Sequence, residues 1–336
     1  MIDIIFGPDD LTRIRFARSP LEELVHSVPV LAGTRRPLVH RPWLEFAAPR
    51  VTGLDLRVLL ALARGPRIVP DFLAPPPEAL TGNFGHELAA IAATPGEVVR
   101  TSLDELRTDG ELPAVLRPLY EDPDHELPRV VDTMAVYWRA AVEPVWPRLR
   151  ALDDADIAHR AQQLTTGGLA KVFDDLHPEA RYEVDRLRID KPLHSARREA
   201  AGAGLLLVPC VFAWPRLLVL HNEPYQPTLT YSPRGIGRLW TEQSSDASAE
   251  PLGDLMGRSR AALLTHLDLP LSTTQLAAYL DLSAAAVSQH LAVLRRCRLV
   301  TSRRSGRWVL HQRTSLAEEL LGTGVAGTAV TASPEP

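Results

Sequence analysis

Hydrophobic residues recur at helical spacing through the first half of the chain. The segment LEELVHSVPVL places Leu21, Leu24, Val25 and Val28 on one side, which predicts an amphipathic helix with one buried face. The same spacing predicts helices over 54–63 and 94–107, and a long helix within 127–164 that is interrupted near Pro144 and Pro147.

The pattern changes to short apolar runs between residues 182 and 231. YEVDRLRI, GLLLVPCVFAW, RLLVLH and TLTYS are separated by turn residues and predict hairpins of a small antiparallel sheet. The helices and these strands predict an α+β, mostly helical, N-terminal domain over 1–240. The polar segment TEQSSDASAE predicts a linker at 241–251, and the aperiodic end predicts a disordered tail at 322–336.

A compact series of elements occupies the C-terminal part of the chain. RSRAALLTHL predicts a first helix, and Ser272 or Thr273 can cap a second, TTQLAAYL. After the turn Asp281-Leu282-Ser283, the segment AAAVSQHLAVLRRC predicts a third helix capped by Ser283, and two short strands follow around Ser305-Gly306. This order predicts a winged helix-turn-helix domain over 252–321.

The third helix has one apolar side and one side of small or amide residues. Val287, Leu291 and Leu294 recur at positions that predict burial. The small residues on the opposite side allow this helix to approach base edges closely. Arginines in the hairpin can bind phosphates or enter the minor groove. The residues predicted to contact DNA are Ser283, Ala284, Ala285, Ser288, Gln289, Arg295, Arg303, Arg304 and Arg307.

The third helix and hairpin resemble the ArsR-type winged-helix repressors. The shared pattern is L-S-x-x-x-V-S-x-H-L-x-x-L-x-x-x-x-L-V followed by a wing with G-[R/K], and it covers roughly residues 252–320. The motifs PDFLAPPPE and IDIIFGPDDLTRIRFARSPLEEL are similar to those of actinobacterial regulators with a long N-terminal domain of unknown function. The resemblance implies DNA binding and a homodimer.

Metal-sensing members of that family place a Cys-x-Cys pair in the second helix. Here TTQLAAYL holds no Cys, His, Asp or Glu, so neither a metal nor another cofactor is expected there. His290 is interpreted as a packing residue, and Cys297, at the end of an apolar helix face, as a small core residue. Cys210 is interpreted as buried and inert.

Charge is distributed unevenly along the chain. The net charge is −4, yet residues 253–313 hold nine Arg and three Asp, so the rest of the chain is acidic. A basic module on an acidic body suits contact with nucleic acid at one end. Two cysteines and the absence of an apolar leader at the N-terminus predict a cytoplasmic chain, and no apolar run is long enough to span a membrane.

These observations predict a cytoplasmic transcription regulator, a repressor, that binds double-stranded DNA as a homodimer. The segments 252–267 and 314–321 are the candidates for the dimer contact, and the N-terminal domain is expected to respond to a small-molecule effector or a partner. The alternatives are an enzyme with an accessory winged helix, and a winged helix that binds proteins. No nucleophile–base, phosphate-loop or metalloprotease motif is present, which disfavours the enzyme.

Overall fold

The computed structural model describes residues 1–33, 38–63, 69–107, 110–192, 195–240, 249–268, 270–305 and 308–321. The chain divides into two compact units, Met1–Trp240 and Thr241–Pro336. Within the described ranges, no helix combines the length and the apolar character that crossing a bilayer requires. Most of the predicted linker and the whole predicted tail lie outside the described residues. A helix begins at Ala249, so the last three residues of the predicted linker are helical.

The N-terminal unit is mostly helical. Its helices are α1 Pro8–Leu11, α2 Pro20–Leu31, α3 Arg41–Val51, α4 Arg57–Leu62, α5 Phe84–Ala92, α6 Gly96–Asp104, α7 Arg117–Glu121, α8 Pro123–Tyr137 and α9 Trp146–Asp174. A π-helical turn at Trp138–Val142 follows α8, which confirms the predicted interruption near the two prolines. A kink at Gly168 divides α9, because its φ of 69° is left-handed.

Helix α2 is the buried centre of this unit. Ser19 caps it by accepting a hydrogen bond from the backbone nitrogen of Glu22 at 3.0 Å, and Pro20 occupies the first turn. Every residue from Pro20 to Val30 is buried, so the predicted helix is confirmed but its predicted single apolar face is wrong. Packing on all sides encloses the polar positions as well, and Glu22, Glu23 and His26 are buried with the leucines.

Eight strands form two four-stranded sheets in the part of the N-terminal unit that the structure describes. The strands are β1 Ile2–Ile5, β2 Arg15–Phe16, β3 Ala180–Glu183, β4 Arg186–Ile189, β5 Ala196–Glu199, β6 Leu206–Pro209, β7 Leu218–Leu220 and β8 Thr228–Tyr231. One sheet has the order β3-β4-β1-β5 and the other the order β2-β6-β8-β7. The mostly helical α+β class is therefore confirmed.

The predicted single antiparallel sheet is not what these strands form. The N-terminal strand β1 pairs in parallel with β5, β2 pairs in parallel with β6, and β6 pairs in parallel with β8. In the first sheet, β1 lies between β4 and β5, which come about 190 residues later in the chain. In the second sheet, β2 is an edge strand beside β6, and the sheet is mixed because β6 and β8 are parallel whereas β7 and β8 are antiparallel. The hairpin prediction considered only strands that are consecutive in the chain, whereas the parallel pairs join strands that are not consecutive.

The described residues of the C-terminal unit form four helices after residue 257 and one before it. Its elements are α10 Ala249–Met256, α11 Arg258–His266, β9 Leu271–Ser272, α12 Thr273–Leu280, α13 Ala284–Arg296, β10 Val300–Ser305, β11 Trp308–Arg313 and α14 Ser315–Leu320. The side chains of Leu263, Leu264 and Leu267 are fully buried, as the spacing of α11 predicts. The three strands form one antiparallel sheet of order β10-β11-β9.

Candidate DNA-binding site

Two capped helices and a short turn form the helix-turn-helix. Ser272 accepts from the backbone nitrogen of Gln275 at 3.2 Å, and the Gln275 side chain accepts from the backbone nitrogen of Ser272 at 2.9 Å. This reciprocal capping box sets the start of α12. The helix ends at Asp281, whose φ of 54° is left-handed. Ser283 then caps α13 by accepting from the backbone nitrogen of Ala286 at 3.2 Å.

Helix α13 has two faces of different character. The side chains of Val287, Leu291 and Leu294 are at most 2% exposed and pack into the unit. The predicted DNA-facing residues of the helix are all exposed: Ser283, Ala284, Ala285, Ser288 and Gln289. The structure therefore brings these five side chains onto one surface of small and polar groups at the beginning of the helix. A backbone or a base edge can approach such a surface closely.

The wing is the antiparallel pair β10 and β11. Arg303 lies opposite Leu310 and Arg304 opposite Val309, and both arginines are exposed. Because successive strand residues alternate between faces, the two guanidinium groups start from opposite faces of the wing. Arg303 and Arg304 therefore extend in two directions from the hairpin and do not form one group. The predicted contact Arg307, with Gly306, lies outside the described residues.

His311 joins the wing to the helix-turn-helix. Its Nδ1 lies 2.8 Å from the hydroxyl of Ser302 on β10, and its Nε2 lies 3.2 Å from the hydroxyl of Thr273 at the start of α12. The imidazole is 5% exposed, and burial, followed by the positive charge of Arg295, lowers its pKa. A neutral imidazole can bridge two hydroxyls by donating to one and accepting from the other. The sequence carried no local signal for this contact, because it depends on the register Ser302–His311.

Arg295 and Cys297 lie where α13 ends. Arg295 is exposed in the last turn, where a cation also interacts favourably with the helix dipole. Cys297 is exposed, so its interpretation as a core residue is wrong. The helix ends at Arg296, and the chain turns at Arg298, whose φ of 60° is left-handed.

No group of three His, Cys, Asp or Glu side chains in the described ranges is placed to hold a metal ion. The geometry is that of a winged helix-turn-helix: a capped helix pair, an exposed face on the second helix, and a basic two-stranded wing.

Comparison with known protein families agrees with this geometry. Residues 259–302 match the model of the family described as bacterial regulatory protein, arsR family. Residues 95–235 match the model of a family of unknown function (DUF5937). Neither curated proteins nor solved structures produced a significant match to the chain. The chain therefore carries an N-terminal domain of unknown function, followed in sequence by an ArsR-family helix-turn-helix domain. It belongs to the class of DNA-binding transcription regulators.

Proposed function

We propose that this chain is a cytoplasmic, homodimeric repressor whose DNA affinity is controlled by a ligand of its N-terminal unit. The exposed face of α13 carries the proposal, because a helix with a buried apolar side and a small, polar outer side can enter the major groove. The basic character of residues 253–313 supplies the attraction to phosphates that holds such a helix in place.

The residues have different roles in this proposal. Gln289 reads a base edge, since an amide side chain can make two hydrogen bonds to adenine. Ser283, Ala284, Ala285 and Ser288 allow close approach at the N-terminal end of the helix, where a backbone phosphate also suits the helix dipole. The arginines bind the DNA backbone or the minor groove: Arg295, Arg303, Arg304 and Arg307.

Exposed leucines on the flanking helices support the dimer. Leu255 on α10 is 76% exposed, and Leu316 and Leu320 on α14 are 46% and 44% exposed. Large apolar side chains on two helices outside the DNA-binding face suit contact with a second copy of the same chain. A two-fold dimer presents two recognition helices to half-sites about 34–36 Å apart.

DNA binding is tested by selecting sites from a random pool and measuring affinity by fluorescence anisotropy between 50 and 300 mM salt, a range over which each phosphate contact changes affinity by about 0.7 decade. We expect Gln289→Ala to reduce discrimination at one base pair by about 1–3 kcal/mol. Arg303→Ala should weaken binding to all sequences and reduce the slope of log affinity against log salt by about 0.9.

The matched control for DNA binding is Arg117→Ala, an exposed arginine of the N-terminal unit. It should leave both the affinity and the salt slope unchanged. Affinity that does not depend on salt, or full discrimination in Gln289→Ala, would contradict the proposal.

The dimer and the sign of regulation need separate measurements. Leu316→Glu/Leu320→Glu should convert the protein from dimer to monomer in sedimentation, with an unchanged circular dichroism spectrum. A reporter fused to a selected site should be transcribed less when the chain is present. A monomeric wild-type protein, or higher reporter output, would show that the dimer or the repressor assignment, respectively, is wrong.

A further inference from the structure

A cavity of about 740 Å³ opens in the N-terminal unit. Its lining includes Glu22 and His26 of the buried helix α2, and consecutive residues 216–222, which contain the edge strand β7. The volume lies within the range of about 300–1,000 Å³ that small-molecule sites occupy. Both helix and strand belong to the same compact unit, so the cavity is a property of this unit alone.

The buried side of the cavity has an unsatisfied nitrogen. His26 Nε2 lies 2.8 Å from Glu22 Oε2, and the two side chains are only 6% and 5% exposed. The hydroxyl of Thr230 donates to the other oxygen of Glu22 at 3.2 Å. Glu22 Oε2 has no hydrogen-bond partner among the described residues, so this contact is an ion-pair distance and not an aligned hydrogen bond. The negative oxygen at 2.8 Å nevertheless favours the imidazole tautomer that carries its proton on Nε2. Nδ1 is then an acceptor, and it has no hydrogen-bond partner among the described residues. A donor from a ligand would satisfy it.

Asp71 and Glu105, two further carboxyl groups of the lining, repel each other electrostatically when both are ionised. Burial raises the pKa of Glu105, and the negative charge of Asp71 raises it further. Burial also raises the pKa of Asp71, although the side-chain amide of Asn222 donates to it at 2.8 Å and the positive charge of His221, another lining residue, lowers it. A positive charge near this pair would relieve the repulsion.

The described lining carries an excess of negative charge. It holds four carboxylates but only two lysine or arginine side chains. Of these two, Lys191 already donates to Glu179 and to the backbone oxygen of Leu217. An anionic ligand would therefore be repelled, whereas a cationic ligand would be attracted.

Apolar surface completes the lining. Val219 packs against the core of the unit. Strand alternation places Leu218 and Leu220 on the other face of β7, and both are only half-buried although they line the cavity. These two leucines offer contact to an apolar ligand body.

We propose that this cavity binds a small organic amine, with an ammonium group that meets the carboxylates and an N–H that His26 Nδ1 accepts, and with an apolar body against β7. The proposal rests on the proposed function in one respect: the amine is the effector that changes DNA affinity. Binding of the amine itself does not depend on that function.

The test uses calorimetric titration of the full chain with three probes of the same shape. They are 3-phenylpropylamine, 3-phenylpropan-1-ol and 3-phenylpropanoate, each repeated with the two-carbon and four-carbon homologues. We expect at least one amine to bind tenfold or more tightly than its alcohol, and the carboxylates not to bind. Equal affinity for amine and alcohol, or no binding of any amine at millimolar concentration, would overturn the proposal.

Charge variants locate the site. Asp71→Asn/Glu105→Gln should weaken amine binding at least tenfold and leave alcohol binding unchanged. Asp132→Asn/Glu121→Gln removes the same charge from exposed positions outside the lining and should leave amine affinity unchanged. If both double variants lost amine affinity equally, the preference for amines would come from the net charge of the protein. The proposed site would then be wrong.

The role of His26 is tested in the unaltered chain, because replacing this buried histidine can disturb folding. In protein labelled with ¹⁵N-histidine, the Nδ1 resonance of His26 should move upfield on amine binding, because it becomes a hydrogen-bond acceptor. An unmoved Nδ1 resonance in the amine complex would contradict its role.

Failure of the site and failure of the proposed function are separate results. Amine titration needs no DNA, and DNA affinity is measured without amine. Amine binding that leaves DNA affinity unchanged supports the site and contradicts ligand control. Amine binding by a chain that binds no DNA supports the site and contradicts the repressor.

Discussion

Replacing Glu87 with glutamine tests how burial controls the stability of the N-terminal unit. Glu87 is 7% exposed. Its Oε2 accepts from the hydroxyl of Ser19 at 2.7 Å and from the backbone nitrogen of Leu21 at 3.0 Å. Its Oε1 is buried without a hydrogen-bond partner among the described residues. A Cβ on Gly82 would overlap both this Oε1 and the backbone oxygen of Arg18, so two acceptors border the same small space. Burial raises the pKa of Glu87 to about 7, against the two hydrogen bonds that lower it.

The raised pKa has a defined effect on stability. In the unfolded chain, Glu87 titrates near 4.5. Between pH 4.5 and 7 the folded protein retains a proton that the unfolded chain has lost, so the free energy of unfolding falls as the pH rises. Above the folded pKa both states are ionised and the fall ends. The difference between a pKa of 4.5 and one of about 7 corresponds to about 3 kcal/mol, of which about 2.5 kcal/mol is lost between pH 5 and pH 8.

Urea denaturation followed by tryptophan fluorescence measures this effect. Five of the six tryptophans lie in Met1–Trp240, so the signal reports mainly on that unit. We expect the loss of stability between pH 5 and pH 8 to be about 2.5 kcal/mol smaller in Glu87→Gln than in the wild type. Other buried groups also titrate in this range, and the comparison between the two proteins cancels them.

The control is Glu121→Gln, the same chemical change at an exposed glutamate. Its pH dependence should equal that of the wild type. If Glu87→Gln and the wild type lost stability equally, within about 0.5 kcal/mol, burial would not be the origin of the shift and the reasoning would be refuted.

Three further predictions concern caps, buried charge and thiols. Ser272→Ala removes the capping box with Gln275 and should destabilise the C-terminal unit by about 1 kcal/mol, as measured by urea denaturation followed by circular dichroism. Arg160→Ala leaves two carboxylates without their buried partner and should cost about 3–5 kcal/mol in the same assay followed by fluorescence, whereas a loss below about 1 kcal/mol would contradict the pairing. Cys297 should react with an aromatic disulfide reagent in the native protein and Cys210 only after urea is added, because burial raises the pKa of the Cys210 thiol; two fast equivalents would contradict this.

Local patterns predicted the C-terminal unit well. The caps Ser272 and Ser283, and the spacing of Val287, Leu291 and Leu294, are interactions between residues three or four positions apart. Such interactions can be found in the sequence without knowledge of the rest of the fold. The helix-turn-helix and its exposed face follow from them, and the turn at Ser305-Gly306 predicted the two strands of the wing. The roles of the exposed residues in DNA binding remain predictions.

Long-range packing decided the features that local patterns missed. Ser302 meets His311 only through strand register, and Cys297 is exposed although it follows an apolar helix face. The same limit applied to α2, whose sequence indicated one apolar face although neighbouring elements enclose the whole helix. Periodicity reports the average polarity of a face, and it contains no information on which elements will cover that face.

The sequence was sufficient to predict three helices of the C-terminal unit, because capping and periodicity act within a few residues, and the turn residues Ser305-Gly306 predicted the two wing strands. Only the tertiary structure placed β1 and β2 in mixed sheets with strands about 190 residues away. It alone brought Glu22, His26, Asp71 and Glu105 around one cavity. These groups come from separate segments, and their meeting depends on the packing of the whole unit rather than on any spacing along the chain.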